Sequence, residues 1–199
     1  VDRDGIGGSA VLTDCVPSKA LIAVSDILTE AGESHALGVT IAGAPARPDL
    51  LSVDLAQVNA RILALADQQS RDTRERLESA GISVIRGSGR LMAPGLVAVD
   101  AAGARSELSA DAVLVSTGAR PRLLSGSEAD GDRIMTWEQV YGLTELPQRL
   151  IVVGSGVTGA EFAAAYRAMG SDVVLVSSRD RVLPGEDADA AAALERAFA

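Results

Sequence analysis

The stretch RLIVVGSGVTGAEFAAAYRAMGSDVVLVSS, residues 149–178, constrains this chain more than any other. The apolar run LIVV reads as a strand. Glycines follow at 154, 156 and 159 at the opening of an alanine-rich helix, and a second valine-rich strand closes the unit. This is a βαβ pattern in a minimal span. Gly154 permits the tight turn, Gly156 lets backbone amides approach a pyrophosphate, and Gly159 lets helix and strand pack closely. Phosphates then lie at the helix N-terminus, where unpaired N–H groups and the dipole favour anions. The spacing predicts a dinucleotide site; the plainer alternative is a glycine-rich turn. Where NAD-selective sites carry an acid for the ribose hydroxyls, this chain has Ser177, followed by Ser178 and Arg179. Loss of the acid removes repulsion toward a 2′-phosphate and Arg179 can attract one, so NADPH is expected to be accepted, even preferred. The alternative for Arg179 is a solvated loop charge.

Composition narrows the rest. A net charge of −9 with 3% aromatic residues argues against a nucleic-acid partner, which calls for a basic surface and stacking groups. No apolar run is long enough for a transmembrane segment and no basic, apolar leader precedes the first elements, so a soluble, cytoplasmic protein is expected. The single cysteine, Cys15, cannot close an internal disulfide, and the single histidine, His35, offers no metal cluster. His35 reads as a loop or surface residue. The opening VDRDGIGG looks like the end of a buried strand whose beginning is missing, and AAALERAFA stops inside a helical pattern, so a fragment of a longer chain is expected.

Between these ends the pattern is α/β. Leu21, Val24, Ile27 and Leu28 recur at helical spacing and predict a helix from Cys15 to Ala31, with Gly32 just past its end. A long second helix spans the segment SVDLAQVNARILALADQQSRDTRERLESAG, with Leu55, Val58, Ile62, Leu65 and Leu77 on one face and Gly81 as its stop. Its charge run RDTRERLE reads as a solvated face. ISVIRG, LVAVD and DAVLVSTG read as short strands. Residues 119–148 are irregular around a short helical WEQVYGL, in which Trp137 and Tyr141 are packing residues, and read as a connection.

Four segments in order, VDRDG, GIGGSAVLTDCVPSK, VSTGARP and VVGSGVTGAEFA, make the chain resemble the pyridine nucleotide-disulfide oxidoreductases across its whole length. The resemblance implies an FAD/NAD(P)-binding Rossmann-like fold of two partial dinucleotide-binding domains. Residues 1–118 would be FAD-binding, lacking the first strand-helix unit; 119–148 would connect; and 149–199 would be the N-terminal half of the NAD(P) domain. Asp2 would hold the adenosine ribose of FAD, and Gly7, Gly8 and Ser9 its pyrophosphate and flavin edge. Gly89 would meet the adenine, and Ser116, Thr117 and Gly118 would close the site. Gly154, Gly156, Val157, Gly159, Ser177, Ser178 and Arg179 would hold NAD(P)H. Lys19, the chain's only lysine among seventeen arginines, and Glu161 match the family's pair beside flavin N5. A compact ammonium there is not replaceable by a planar guanidinium.

The chain also departs from the family. Disulfide-active members carry two cysteines where this chain has Ala10 and Cys15, and one thiol cannot cycle through an intramolecular disulfide. Cys15 is expected to be a small packed residue, with a redox or charge-transfer role as the alternative. The resemblance then points to the lipoamide-dehydrogenase-like NAD(P)H:quinone reductases that lack the cysteine pair, with a quinone as the small-molecule acceptor and a homodimer as the full-length assembly. Dihydrolipoamide dehydrogenase, soluble transhydrogenase and a catalytically silent nucleotide-binding fragment are the alternatives.

Overall fold

A computed structural model of the chain describes residues 1–198. In chain order its elements are α1 (Gly8–Leu12), α2 (Cys15–Glu33), β1 (Thr40–Ile41), β2 (Ala44–Pro45), α3 (Leu55–Ser79), β3 (Ser88–Ala93), β4 (Leu96–Ala101), β5 (Ala104–Ser109), β6 (Arg149–Val153), α4 (Val157–Met169), β7 (Asp172–Val176) and α5 (Ala188–Phe198). Short 3-10 turns lie at Ser34–Leu37, Pro48–Leu50 and Gln139–Gly142. Two compact units result: Val1–Pro17 with Leu63–Glu128, and Ser18–Ile62 with the chain from Ala129 onward.

The second unit contains the expected βαβ arrangement. β6 and β7 pair in parallel from Arg149 opposite Asp172 to Val153 opposite Val176, and α4 crosses between them. Residues alternate along both strands, so Leu150 and Val173 turn inward while Ile151, Val153, Val174 and Val176 stay exposed. α4 buries Phe162, Ala165, Tyr166 and Met169 at helical spacing, and this stripe meets Leu21 of α2, Leu55 and Ile62 of α3, and Tyr141. Tyr141 and Phe162 pack as tilted rings with centroids 5.8 Å apart. Asn59, buried on α3, donates from Nδ2 to the Leu143 carbonyl at 2.8 Å and ties that helix to the 3-10 turn. Gly170, at φ 113°, ends α4 in the left-handed region that favours glycine.

The first unit is built differently from the sequence expectation. Its sheet is an antiparallel meander, β3-β4-β5, in which only β4 coincides with an expected strand, LVAVD. ISVIRG forms only one parallel bridge, between Asp2 and Arg86, and DAVLVSTG joins no ladder among the described residues; Leu114 stands exposed. Apolar runs of this kind encode strands buried between parallel neighbours, and a strand exists only where a neighbour supplies its hydrogen bonds. The β4–β5 turn places Ala102 and Gly103 both at positive φ, the requirement of a tight two-residue hairpin.

Three details of the helices also differ. Gly32 does not stop α2, which runs on to Glu33; it lies buried within the helix, where a Cβ would come within 2.9 Å of the Pro48 ring. The buried seam of α2 runs through Ser18, Leu21 and Ser25, which leaves Ile27 outside. On α3 the seam runs Leu55, Asn59, Ile62, Ala66, Ser70, in steps of three and four, so Leu65 is exposed rather than inward. The charge run lies outward as expected, with Arg71 paired to Asp67 and Arg74 to Glu78 across one turn.

Tyr166 is buried with no hydrogen-bond partner for its hydroxyl among the described residues, and burial pushes its phenol up to about 12. In the unfolded chain the phenol ionises near pH 10, so between about pH 10 and 12 the folded state holds a proton that the unfolded state has lost. Stability contributed by the neutral ring is complete below pH 10 and falls as pH rises through that window. Tyr166→Phe is expected to match or exceed the wild type in urea stability at pH 7, by up to about 1 kcal/mol. It should also flatten the loss above pH 10. A variant that loses more than about 2 kcal/mol at pH 7 would show the hydroxyl to be well bonded.

Candidate functional site

The site of interest in the second unit starts from the turn between β6 and α4. Gly154 sits at φ 117°, a conformation other residues adopt only under strain, and its amide donates to the Val176 carbonyl at 2.8 Å, closing the turn against the end of β7. A Cβ on Gly159 would collide with the Gly154 carbonyl, so α4 approaches the strand as closely as two backbones allow. Gly156, in contrast, has an ordinary φ of −72° and nothing within 4 Å of where its Cβ would lie. The absent side chain there leaves a bare peptide surface in front of the helix N-terminus. No acidic residue occupies the first turn of α4, so the positive end of the helix dipole is uncompensated.

One turn into α4, on the same face as Val157, Glu161 reaches Lys19 of α2. The Lys19 Nζ donates to Glu161 Oε1 at 2.6 Å, joining residues 142 positions apart. Their side chains are 58% and 23% exposed, so the pair contributes little to stability, of the order of a surface ion pair at about 0–1 kcal/mol. Its consequence is positional. Glu161 and Val157 line a groove of about 510 Å³ with Ile22 and Asp26 of α2, Leu183, and Phe198 of α5. The groove walls are mostly apolar, with the carboxylates of Glu161 and Asp26 among the lining groups.

At the end of β7, Ser177 occupies the position of the expected acid. Its Oγ lies 2.7 Å from that of Ser155 and accepts the Arg179 amide at 2.9 Å. Ser178 and Arg179 are exposed beside it. The relay through Ser155 and the wall formed by Leu183 were not foreseen from the sequence. Ser155 is only the variable residue between two motif glycines, and Leu183 adopts a φ of 50° that no local signal announces.

In the first unit, Asp2 Oδ1 accepts the amides of Asp4 and Gly5, at 3.0 and 2.5 Å, and its backbone pairs with Ile85 and Gly87. Gly7 and Gly8 both lie at positive φ; a Cβ on Gly7 would strike Val11, while Gly8 faces open space. Ser9 follows in α1. Gly89 lies in β3 opposite Val99, beside Val1. Ser116, Thr117 and Gly118 lie exposed in coil. Cys15, expected to be packed, is exposed: it is the first residue of α2, ahead of the buried Pro17 and Ser18 that begin the inward-facing seam. His35 lies in the turn after α2 with Nδ1 3.1 Å from the Gly32 carbonyl oxygen. Among the described residues no cluster of His, Cys, Asp or Glu could hold a metal ion, and no helix is long and apolar enough to cross a membrane.

A profile of the pyridine nucleotide-disulphide oxidoreductases matches residues 4–199. The chain belongs to that family. An NAD(P)H dehydrogenase (quinone) of Mycobacterium tuberculosis is 50% identical over 100% of this chain and 41% of its own length. A dihydrolipoyl dehydrogenase of Chlorobaculum parvum is 34% identical over 100% of the chain and 41% of its length. The crystal structure of LpdA from Mycobacterium tuberculosis superposes with a TM-score of 0.88 at 48% identity, covering 99% of this chain and 42% of that one. The fold is therefore the mixed helix-and-strand FAD/NAD-binding fold of the family, and the chain spans about two fifths of the length of the relatives it matches.

The residues present fit a pyridine nucleotide. The bare peptide at Gly156 and the uncompensated N-terminus of α4 are features with which a pyrophosphate can pair. The open left-handed backbone at Gly8 leaves a similar uncovered peptide face for a flavin dinucleotide. The two motif glycines make opposite demands, which substitution separates. Gly159→Ala is expected to destabilise the protein by about 1–3 kcal/mol in denaturant unfolding, because helix and strand must part. Gly156→Ala is expected to stay within about 0.5 kcal/mol of the wild type. Equal losses at both positions would contradict the close approach at Gly159.

Proposed function

We propose that the chain is part of an FAD-dependent oxidoreductase that transfers a hydride from NAD(P)H to FAD and then electrons to a small acceptor, a quinone, without a redox-active disulfide. The observation that carries this reading is the 2.6 Å bond from Lys19 to Glu161, a residue that lines the apolar groove on the helix following the glycine turn. Residues 1–118 form the FAD-binding part, 119–148 the connection, and 149–199 the first half of the NAD(P)-binding part.

On this reading Gly154, Gly156, Val157 and Gly159 hold the pyrophosphate of NAD(P)H, and Ser177, Ser178 and Arg179 meet its adenosine ribose. Asp2, Gly7, Gly8, Ser9, Gly89, Ser116, Thr117 and Gly118 hold FAD. Bound FAD supplies the two-electron chemistry. The protein supplies position and charge: Glu161 fixes the Lys19 ammonium in one place, and the ammonium offsets negative charge that develops at the reacting centre. Arg179 and the lack of a carboxylate at 177 allow NADPH as well as NADH. With Ala10 in place of one relay cysteine, the exposed Cys15 has no partner thiol in the chain, which supports direct transfer to a small acceptor. A half-identical relative named NAD(P)H dehydrogenase (quinone) supports the acceptor class. The complete protein is proposed to be a cytoplasmic homodimer.

The full-length protein is expected to be yellow, to be bleached by NADPH or NADH, and to regain its flavin absorbance with menadione. Turnover of lipoamide or glutathione disulfide at a comparable rate would overturn the reading. Stopped-flow reduction of a Lys19→Met variant should be slower by roughly ten- to a hundred-fold, while FAD stays bound through gel filtration. An unchanged reduction rate would remove the ion pair from the chemistry.

A further inference from the structure

Behind the coenzyme loop runs a hydrogen-bond relay with a defined sense. The Arg179 amide donates to Ser177 Oγ at 2.9 Å, the Ser177 and Ser155 hydroxyl oxygens lie 2.7 Å apart, and Ser155 Oγ is 3.3 Å from the Arg181 carbonyl oxygen. An amide only donates and a carbonyl only accepts. All three contacts are made together in one way alone: Arg179 amide to Ser177 hydroxyl, Ser177 hydroxyl to Ser155 hydroxyl, Ser155 hydroxyl to Arg181 carbonyl. Every other placement of the two hydroxyl protons breaks a link. Ser155 is 4% exposed, which limits competition from water, and its own carbonyl accepts the Leu183 amide at 2.7 Å. One buried serine thus grips the loop after β7 at three points.

The sense of the relay decides what Ser177 can offer a ligand. Its proton is committed to Ser155 and one lone pair to the Arg179 amide. What remains is a single lone pair, an acceptor. A ribose 2′-hydroxyl can donate to it, whereas a 2′-phosphate dianion only accepts. For Ser177 to bond a phosphate its proton must turn outward, and then one link is lost: the one to Ser155 if Ser155 keeps donating to Arg181, or the one to Arg181 if Ser155 reverses to donate to Ser177. We infer that Ser155 is a positioning residue for coenzyme selection: it holds Ser177 as an acceptor and so favours the 2′-hydroxyl of NAD(H), in opposition to the attraction of Arg179 for a 2′-phosphate. The inference rests on the dinucleotide reading of the glycine turn and deepens it. The two opposed groups account for a site open to both coenzymes, with neither excluded.

Calorimetric binding of NAD⁺ and NADP⁺ to the full-length, FAD-loaded protein tests this without turnover. Ser155→Ala frees the Ser177 proton and is expected to shift the ratio of the two dissociation constants toward NADP⁺ by about two- to ten-fold, the worth of one hydrogen bond. On a Ser177→Ala background the same substitution should shift nothing, which a general loosening of the loop would not reproduce. An unchanged ratio in Ser155→Ala, or an equal shift in both backgrounds, overturns the inference. Should Ser155→Ala not fold, the exposed Ser177→Ala change alone decides: NAD⁺ binding weakens about two- to ten-fold with NADP⁺ unaffected, and equal weakening of both overturns it. Failure of both coenzymes to bind the wild type would remove the dinucleotide reading itself, a result distinct from an unmoved ratio.

Discussion

The second unit is organised by a missing methyl group. Because Gly159 carries no Cβ, α4 comes to rest on the Gly154 carbonyl, and that contact sets both the height and the rotation of the helix over β6. Everything useful about α4 follows from this seat. Its N-terminal amides point into the space left bare at Gly156. Its inward stripe of Phe162, Tyr166 and Met169 meets Leu21, Leu55 and Ile62 in one core. Its outward turn carries Val157 and Glu161 together, and at that rotation Glu161 reaches Lys19. Displacing the helix by the width of a side chain would disturb packing, glycine turn and ion pair at once, since interiors transmit such shifts rather than absorb them.

Electrostatics in this chain are sparing and local. The net charge of −9 would by itself repel the phosphates of a nucleotide, so attraction has to come from particular groups at short range. The first turn of α4 keeps its dipole free of acids, and Arg179 stands exposed at the end of β7. Lys19 answers a different need. An arginine at that position would bring a broad planar fork suited to bidentate pairing; an ammonium makes one short bond to Glu161 Oε1, a longer one to Ser18 Oγ at 3.4 Å, and keeps a third donor on the same small centre.

The parts of the fold that can be read from sequence are those whose information is local. Residues 149–176 announce themselves because strand, turn glycines and helix each satisfy their own backbone groups within a short span, and the parallel register of β6 and β7 follows from the crossover. ISVIRG and DAVLVSTG are apolar for a different reason: their pattern encodes burial between neighbours from elsewhere, and where no neighbour runs alongside, valines alone make no strand. Gly32 shows the same limit in a helix. A glycine near the end of an amphipathic run reads as a stop, yet here it makes room for Pro48, a contact that sequence spacing does not record. Leu65 was misplaced because Ala66 and Ser70, small and easily passed over, carry the seam of α3. Among the candidate residues, the glycine turn and the serine at the end of β7 are legible by position, whereas the contacts of Ser155 are not: they depend on a carbonyl and a hydroxyl supplied from beyond β7.

Ala10 limits what the chain's single thiol can do. A pair of thiols stores two electrons in a covalent bond and passes them on after the nucleotide has left; with a single exposed thiol that store is absent. On the function proposed above, reducing equivalents then pass directly to a small, apolar acceptor. An ion pair of modest stabilising worth, with Glu161 on the wall of an apolar groove, suits that proposal better than a deeply buried one would, because desolvating both charges costs several kcal/mol per ion. The half-exposed geometry of Lys19 and the more shielded Glu161 keep the pair formed at little cost. Charge is thereby held at one defined point, on Glu161 of the groove wall and its partner Lys19.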